Sequence, residues 1–296
     1  MIELPDEKWT PYVTVIGIGE LGVRVLLKLS DKQREELSLC AIISDKTQLE
    51  GHENQFSAAY IGDACLMEQK SDLYQMIQKG AMFLIVADSS DMFSARAVSA
   101  IASAGQGMVS FALLMTTDGN QGESDCISQT RTIYMTPEIL RRQCELQPVF
   151  FEDEIDVIAE TAMEMSTMSF HNLIGFGVAD MQEALSRPGK MTAVFGQGNT
   201  AENAVDNLLL IAETIGVDLR RCELAVFNMS GALDQLSLYD VNEAPYLMAK
   251  KVGREMVSFC GEPLTLLSAP LDESLGDKLK IFAVFCEGNE KTCYLD

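Results

Sequence analysis

The chain has 296 residues, of which 47% are hydrophobic and 22% are charged, and its formal net charge is −22. A chain of this length and composition forms one or two folded domains with a substantial apolar core. The excess of acid disfavours binding to nucleic acid or to an anionic membrane surface, because both depend on lysine and arginine side chains that contact phosphate groups.

The sequence shows no sign of a membrane span, a secretion signal or a metal site. No apolar run approaches the roughly 18 residues that a transmembrane helix needs, and the first twelve residues, MIELPDEKWTPY, lack an apolar signal core. The eight cysteines are scattered between Cys40 and Cys293, and the only histidines are His52 and His171. We therefore expect a cytoplasmic protein with reduced thiols, no zinc and no insertion into a membrane.

Strand-like and helix-like segments alternate through the first half of the chain. The first predicted strand is VTVIGI, which a glycine turn joins to a helix that ends near Asp31. Further strands are predicted over LSLCAIIS, AMFLIVAD, MVSFALLMTT and TRTIYM, and helices over SDLYQMIQKG, MFSARAVSAIASAG and the segment after Thr136. Apolar strands separated by helices predict an α/β domain with a doubly wound parallel sheet.

A long helix with an acidic start, predicted over 152–170, follows this first domain. After it the pattern changes. Strands are predicted over MTAVFGQG, CELAVFNMSG, PLTLLSAPLD and DKLKIFAVFCEG, and helices over NTAENAVDNLLLIAETIG and NEAPYLMAKKVG. We therefore predict three units: an N-terminal α/β domain over 1–151, a central connecting helix over 152–170, and a C-terminal α+β domain with a mixed sheet over 171–296.

The glycine turn matches the pattern G-x-G-x-x-G through Gly17, Gly19 and Gly22. Glycines at such a turn let backbone amides approach a pyrophosphate, and the following helix contributes positive potential at its N-terminus. Asp45, at the end of the second predicted strand, stands near where a dinucleotide-binding fold places its ribose-binding acid. One interpretation is therefore a nicotinamide- or flavin-dependent oxidoreductase, and the other is a tight turn that binds nothing.

Two segments of the second half resemble motifs of the FtsZ/tubulin superfamily. AVFNMSGALDQLSLYDVNEA is similar to the strand, glycine turn and L-x-L-x-E-V-N-E-A run of that family, and DESLGD is similar to its D-x-S-L-G-D turn before the last strand. The resemblance implies a tubulin/FtsZ-like fold with a GTP-binding domain, a central helix and a C-terminal α+β domain. It also implies head-to-tail stacking, in which one subunit completes the hydrolytic site of the next.

The first phosphate loop of the family is a run of glycines that ends in asparagine. Here the corresponding residues are Gly19-Glu20-Leu21-Gly22-Val23-Arg24. A glutamate 4 Å from a phosphate is repelled by roughly 4 kcal/mol at an effective dielectric of about 20. We expect Leu21 and Val23 to fill space that a phosphate cradle needs empty, and Arg24 to offset only part of the charge.

The family signature GGGTGTG falls on Ser90-Asp91-Met92-Phe93-Ser94-Ala95-Arg96, which contains no glycine. Residues other than glycine rarely adopt positive φ angles, and Asp88 and Asp91 add negative charge where a polyphosphate would lie. We expect Met92 and Phe93 to help fill the phosphate space. The segment from Asp45 to Asp72 is also shorter than the family loop that contacts the terminal phosphate.

The catalytic loop of the family reads N-x-D-x-x-D, and its acids position the attacking water. Here Gly175 and Gly177 replace the asparagine and the first aspartate, and only Asp180 is kept. A lone carboxylate is a weak candidate for catalysis, because positioned acid–base groups normally act together.

Three nucleotide elements are thus altered while the scaffold motifs remain, which predicts an FtsZ-like pseudo-GTPase. It would be a cytoskeletal or cell-division-related assembly or regulatory protein that binds a second copy, or another FtsZ-like protein, head to tail. The vestigial nucleotide site comprises Gly17, Gly19, Glu20, Gly22, Arg24, Ser90, Asp91 and Arg96. No cofactor is expected. The alternative is a GTP- or GDP-binding switch without hydrolysis that uses Arg24, Arg96 and Asp156.

Overall fold

The computed structural model describes residues 13–31, 37–52, 55–62, 82–104, 109–116, 131–167, 180, 183, 190–256 and 265–287. The strands are β1 (Val13–Ile18), β2 (Leu37–Ile43), β3 (Ala58–Ile61), β4 (Met82–Asp88), β5 (Val109–Met115), β6 (Arg131–Met135), β7 (Lys190–Gly198), β8 (Cys222–Ser230), β9 (Leu266–Ser268) and β10 (Leu279–Glu287). The α-helices are α1 (Gly19–Asp31), α2 (Met92–Ala104), α3 (Pro137–Leu146), α4 (Glu154–Thr167), α5 (Ala201–Thr214) and α6 (Leu238–Val252).

The ten described strands form one sheet in the order β3-β2-β1-β4-β5-β6-β7-β10-β8-β9. Neighbours from β3 to β7 run parallel, whereas β10 is antiparallel to both β7 and β8. This confirms a parallel, doubly wound first half and a mixed second half. One residue pair, Ile133 with Met191, joins β6 to β7. The boundaries proposed at 151 and 170 stay a prediction.

Alternate residues of the parallel strands enter cores on opposite faces of the sheet, as the period-two geometry of a strand requires. Val15 packs with Leu26 of α1 and Val157 of α4 on one face. Ile16 packs with Ile101 of α2 on the other face. A separate core beneath α5 and α6 covers the C-terminal strands. Helices cover both faces of the parallel strands, so both faces are buried. The sequences of β1 and β4 are therefore apolar almost throughout.

Helix α4 is the predicted central helix, and its first turn is acidic as expected. The Asp153 carboxylate accepts a hydrogen bond from the backbone amide of Asp156 at 3.0 Å, and so caps the helix. Residues 168–170 of the predicted span, and the predicted helix SDLYQMIQKG, lie outside the described residues. The first two residues of the predicted strand PLTLLSAPLD also lie outside the described part, and in the remainder β9 covers Leu266–Ser268, so it ends before the predicted end.

A buried polar network fastens α4 to the C-terminal strands. The Lys280 ammonium of β10 donates to Glu160 and lies 2.7 Å from the Glu164 carboxylate. Glu164 also accepts a hydrogen bond from the Asn228 amide at 3.1 Å, and Asn228 accepts one from the Ser268 hydroxyl at 2.6 Å. Because these groups are removed from water, their mutual hydrogen bonds are needed to offset the cost of burial. The network therefore fixes the central helix against β8, β9 and β10.

Four cysteines lie in the described residues, and all four are free thiols. Cys40, Cys222 and Cys286 are buried, and Cys144 is half-buried. Burial raises the pKa of the Cys222 thiol to about 12, so this thiol is protonated and unreactive at neutral pH. Nowhere in the described part do three or more histidine, cysteine, aspartate or glutamate side chains gather as a metal site would require. None of the described helices has the length and hydropathy of a membrane span.

Candidate functional site

The glycine turn between β1 and α1 is required by close packing of the strand against the helix. A Cβ atom on Gly17 would lie 2.5 Å from the carbonyl oxygen of Gly22 and 2.7 Å from the side chain of Leu26. A Cβ atom on Gly22 would meet the backbone of Gly17 and lie 2.9 Å from the carbonyl oxygen of Val86. These two glycines are therefore explained by packing within the protein, without a ligand.

Gly19, the middle glycine of the pattern, has a different role. Its φ of +67° lies in the left-handed region that glycine adopts at little cost. A Cβ atom at this position would lie 2.7 Å from the Ser94 hydroxyl, which lies in the first turn of α2. The first turns of α1 and α2 therefore approach each other closely at Gly19 and Ser94.

The second turn, between β4 and α2, is closed by its own carboxylates. Asp91 immediately precedes α2, and its Oδ2 accepts hydrogen bonds from the Ser94 amide at 2.9 Å and from the Ser94 hydroxyl at 2.7 Å. The Ser94 hydroxyl, the backbone amides of Ser94 and Phe93, and the charge of Arg96 together lower the pKa of the Asp91 carboxyl, against the opposing effect of partial burial. Asp91 is thus an ionised N-cap at the end of the helix where an anion would bind.

The amides just before Asp91 are also paired within the protein. The Asp88 carboxylate accepts hydrogen bonds from the Ser90 amide at 2.9 Å and from the Ser90 hydroxyl at 2.6 Å. The amide and hydroxyl of Ser89 both donate to the carbonyl oxygen of Met115, at 2.9 and 2.8 Å. The backbone amides of Ser89, Ser90 and Ser94 at this turn therefore already have oxygen partners.

The structure corrects the expectation that bulky side chains fill the phosphate space. Val23 and Phe93 are buried in the cores on opposite faces of the sheet, and Leu21 is half-buried against the same core as Val23. The Met92 side chain is 73% exposed. The turn between β4 and α2 is instead closed by the hydrogen bonds of Asp88 with Ser90 and of Asp91 with Ser94.

Of the charged residues predicted for the site, Arg96 interacts with Asp91 through its charge. Glu20, Arg24 and Arg96 are exposed, and the Arg96 guanidinium donates to the carbonyl oxygen of Met92 at 3.3 Å. Asp45 accepts a hydrogen bond from the Thr47 amide at 3.0 Å and so caps a short 3₁₀ helix. With Asp45 used as a cap, the dinucleotide interpretation has no distinct support beyond the glycine pattern.

Asp156, predicted near a guanine-binding position, lies at the start of α4 and is paired with α1. Its carboxylate is 2.7 Å from the Lys28 ammonium and accepts a hydrogen bond from the Glu152 amide at 2.9 Å. The side chain borders an open cleft of 520 Å³, which extends to Lys280 and Leu275. Partial burial raises the pKa of the Asp156 carboxyl. The hydrogen bonds from Lys28 and from the backbone amides of Glu152 and Asp153 lower this pKa by more, so it lies below its usual value.

Little of the predicted catalytic loop falls within the described residues. Asp180 is exposed, and Glu183 is also exposed. Gly175 and Gly177 lie outside the described part, so the role of Asp180 stays a prediction.

The sequence reasoning missed the carboxylate caps that close the second turn. The signal was present, because an aspartate three residues before a serine at the start of an apolar helix, as in Asp91-Met92-Phe93-Ser94, is a capping pattern. Asp88 followed by Ser90 is the corresponding pattern of an aspartate turn. From the sequence alone, we interpret both aspartates only as negative charge near a phosphate.

Replacing Asp91 with alanine is expected to lower the free energy of unfolding by about 1 kcal/mol, because the N-cap of α2 is lost. Urea unfolding followed by circular dichroism measures this change. Asp91→Ser is the matched control, since serine keeps a capping oxygen but removes the charge, and it should retain most of the stability. An alanine variant as stable as the parent would show that Asp91 does not cap the helix.

No family model and no curated protein sequence matches this chain. Solved structures do match. An FtsZ mutant from M. jannaschii superposes with a TM-score of 0.73 at 16% identity, covering 94% of this chain and 91% of that one. CetZ from Methanosaeta thermophila superposes with a TM-score of 0.66 at 11% identity, covering 95% of this chain and 88% of that one. CetZ2 from Haloferax volcanii, a protofilament with bound GTPγS, gives 0.64 at 11% identity, over 94% and 93% of the two chains. The resemblance inferred from the sequence is confirmed at the level of the fold.

Proposed function

We propose that this chain, which has the fold of FtsZ and CetZ, forms assemblies as those proteins do. It does not hydrolyse GTP, and it does not bind GTP tightly. One observation carries the proposal. The backbone amides at the start of α2 donate to Asp91, and the amide of Ser90 donates to Asp88. The turn between β4 and α2 is held by these internal hydrogen bonds, so it does not need a bound nucleotide to keep its conformation.

Displacing these internal bonds would be costly for a triphosphate. A phosphate that took the Ser94 amide would first have to move the Asp91 carboxylate, which would lose its hydrogen bonds with the amide and hydroxyl of Ser94. If the carboxylate stayed nearby, two like charges about 4 Å apart would repel by roughly 4 kcal/mol at an effective dielectric near 20. Each factor of ten in affinity is about 1.4 kcal/mol, so repulsion of this size weakens binding by about a thousandfold.

The loss of hydrolysis is proposed on the catalytic loop as well. The family motif N-x-D-x-x-D contains two aspartates. In this chain Asp180 stands at the second of them, and Gly177 stands at the first. Water attack on a phosphoryl group depends on groups that position the water and stabilise charge together. We therefore assign Asp180 no catalytic role.

Assembly is the part of the family function that we carry over to this chain. The structural neighbours include an FtsZ dimer and a CetZ2 protofilament. Head-to-tail contacts between unlike surfaces repeat into open filaments when they do not close into a ring. The proposed partner is a second copy of this chain or another FtsZ-like protein.

Phosphate release and sedimentation, measured on the same purified chain with and without GTP and Mg²⁺, test the proposal. We expect sedimentable assemblies whose amount does not depend on GTP, and phosphate release no greater than that of an Asp180→Ala variant. GTP-dependent assembly, or release that the Asp180→Ala change abolishes, would overturn it. Electron microscopy of the pellet distinguishes filaments from aggregates, and aggregates alone would count against assembly.

A further inference from the structure

We propose that the two halves of this chain are held in a single orientation, so that a ligand or partner that binds one half does not act by reorienting the other. The first half carries β1–β6 and α1–α4, and the second carries β7–β10, α5 and α6. If the chain assembles as proposed above, its concentration alone then controls assembly, because a ligand has no second conformation to favour. Only this consequence rests on the proposed function.

Glutamine side chains of α3 bind the edge of β7 as a neighbouring strand would. The Gln143 nitrogen donates to the carbonyl oxygen of Ala193 at 3.2 Å, and the Gln143 oxygen accepts from the backbone amide of Phe195 at 3.3 Å. The Gln147 nitrogen donates to the carbonyl oxygen of Phe195 at 3.2 Å. Both glutamines are buried. Because β6 pairs with β7 at a single residue pair in the described part of the chain, these side chains continue the contact between the halves.

A second line of contact joins α4 to the strands beyond β7. The Glu164 carboxylate lies 2.7 Å from the Lys280 ammonium of β10 and accepts a hydrogen bond from the Asn228 amide of β8 at 3.1 Å. Glu160 also pairs with Lys280. The order of these strands is β7-β10-β8. Neighbouring strands lie roughly 4.8 Å apart, so Asn228 lies two strand spacings, about 10 Å, from β7.

One apolar core is shared by the two halves. Phe195 of β7 and Phe282 of β10 are buried in the same core as Val157 and Met163 of α4. The centre of the Phe195 ring lies 5.3 Å from that of Phe151, which precedes α4, and the rings meet edge to face. Separating the halves would therefore expose large apolar side chains as well as polar ones.

The cleft of 520 Å³ shows where the halves would part, because residues of both halves line it. Asp156 and Glu160 of α4 belong to one wall, and Leu275 and Lys280 of the second half belong to the other. Glu160 and Lys280 are paired with each other, so an ion pair joins the two walls. Widening the cleft would therefore break a pair in which the Lys280 side chain is only 6% exposed.

Movement of the halves about a hinge requires one line of contact to serve as the axis while the other opens. Rotation about the contacts of α3 with β7 would separate Glu164 from Lys280 and Asn228. Rotation about the contacts of α4 would separate Gln143 and Gln147 from β7. Each lost hydrogen bond disfavours the open form by about two- to tenfold, and each large apolar side chain that becomes exposed by about ten- to 150-fold. Several losses together make separation as rare as complete unfolding.

Hydrogen exchange of the dilute full-length chain, followed by nuclear magnetic resonance, compares two neighbouring amides of β7 that have different partners. The Phe195 amide donates to Gln143 of the first half. The Val194 amide faces the opposite edge of the strand, toward Ala283 of β10 in the second half. If the halves separate only when the protein unfolds, the protection factors of the two amides agree within about threefold, and urea lowers both together. A larger gap, with Phe195 the less protected, would overturn the proposal.

Gln143→Met and Gln235→Met form a matched pair of variants, because Gln143 is buried against β7 and Gln235 is exposed in the turn before α6. Gln143→Met should lower the protection of the Phe195 amide at least about fivefold relative to that of Val194, because the amide loses its acceptor. Gln235→Met should leave the ratio unchanged. If Gln143→Met leaves the ratio unchanged as well, α3 does not hold β7 and the proposal fails.

Sedimentation velocity over a range of chain concentrations, with and without GTP, tests the consequence for assembly. We expect the mean particle size to rise gradually with concentration and to be the same with GTP, because each added subunit forms the same contact without first changing its conformation. A threshold concentration, or a change on adding GTP, would refute control by concentration alone. A chain that remains monomeric would refute the proposed function, whereas the exchange experiment still decides whether the halves are held together.

Discussion

Replacing Lys280 with methionine is expected to lower the free energy of unfolding by about 3–5 kcal/mol, the range seen when one partner of a buried ion pair is removed. The Lys280 side chain is 6% exposed, and those of Glu160 and Glu164 are 16% and 5% exposed. Burial alone lowers the pKa of the Lys280 ammonium, but the charges of Glu164 and Glu160 outweigh this and raise it above its usual range. Methionine would leave the carboxylates of Glu160 and Glu164, and that of Asp272 at 3.9 Å, without this counter-charge.

Lys251 provides the control, because it too forms ion pairs with more than one carboxylate, but these carboxylates lie at the surface. Its ammonium is 2.6 Å from Asp206 and 3.3 Å from Glu202, whose side chains are 52% and 64% exposed. Lys251→Met should therefore destabilise the protein far less than Lys280→Met, because water and salt screen the exposed pairs. Guanidinium unfolding of both variants makes the comparison. Equal losses would show that the network around Lys280 does not fasten α4 to the C-terminal strands.

Gly22→Ala is expected to destabilise the protein by about 3 kcal/mol, the upper part of the usual range for overpacking. The added methyl group would meet the backbone of Gly17 and the carbonyl oxygen of Val86. Backbone atoms cannot turn away as a side chain can, so β1 and α1 would have to separate. Thermal unfolding followed by circular dichroism measures the loss.

Gly51→Ala separates crowding from backbone conformation. Gly51 has a φ of +82°, and a Cβ atom there would meet nothing within 4 Å. Alanine at that position should cost roughly 1 kcal/mol through the left-handed conformation alone. If Gly22→Ala costs no more than Gly51→Ala, the glycine turn is not held by close packing, and a ligand role for Gly17 and Gly22 returns.

The fold could be predicted from the sequence wherever the structure of a strand or helix depends mainly on that element's own residues. The apolar run Val13–Ile18 and the capped segment that begins at Thr136 and Pro137 form the expected strand and helix, and Thr136 caps α3 through the Ile139 amide. The length of β9 could not be predicted, because it depends on how far the segment pairs with β8. Periodicity carries no information about such pairing.

The candidate site was harder to predict, because it depends on contacts between distant segments. Gly19 and Ser94 bring the first turns of α1 and α2 close together, and no local sequence pattern predicts this approach. The direction of a side chain is also set by the packing of its element, so Val23 and Phe93 enter the cores although their sequence positions lie beside the turns. The caps at Asp88 and Asp91 were local, and a capping pattern could have indicated them.

Isothermal titration calorimetry of the purified chain with GTP and with GDP, each with Mg²⁺, measures whether the turn between β4 and α2 still accepts a nucleotide. The Asp88 and Asp91 carboxylates already accept the hydrogen bonds of Ser90 and Ser94 at that turn. We therefore expect no saturable heat of binding up to millimolar nucleotide. A micromolar dissociation constant with one nucleotide bound per chain would contradict it.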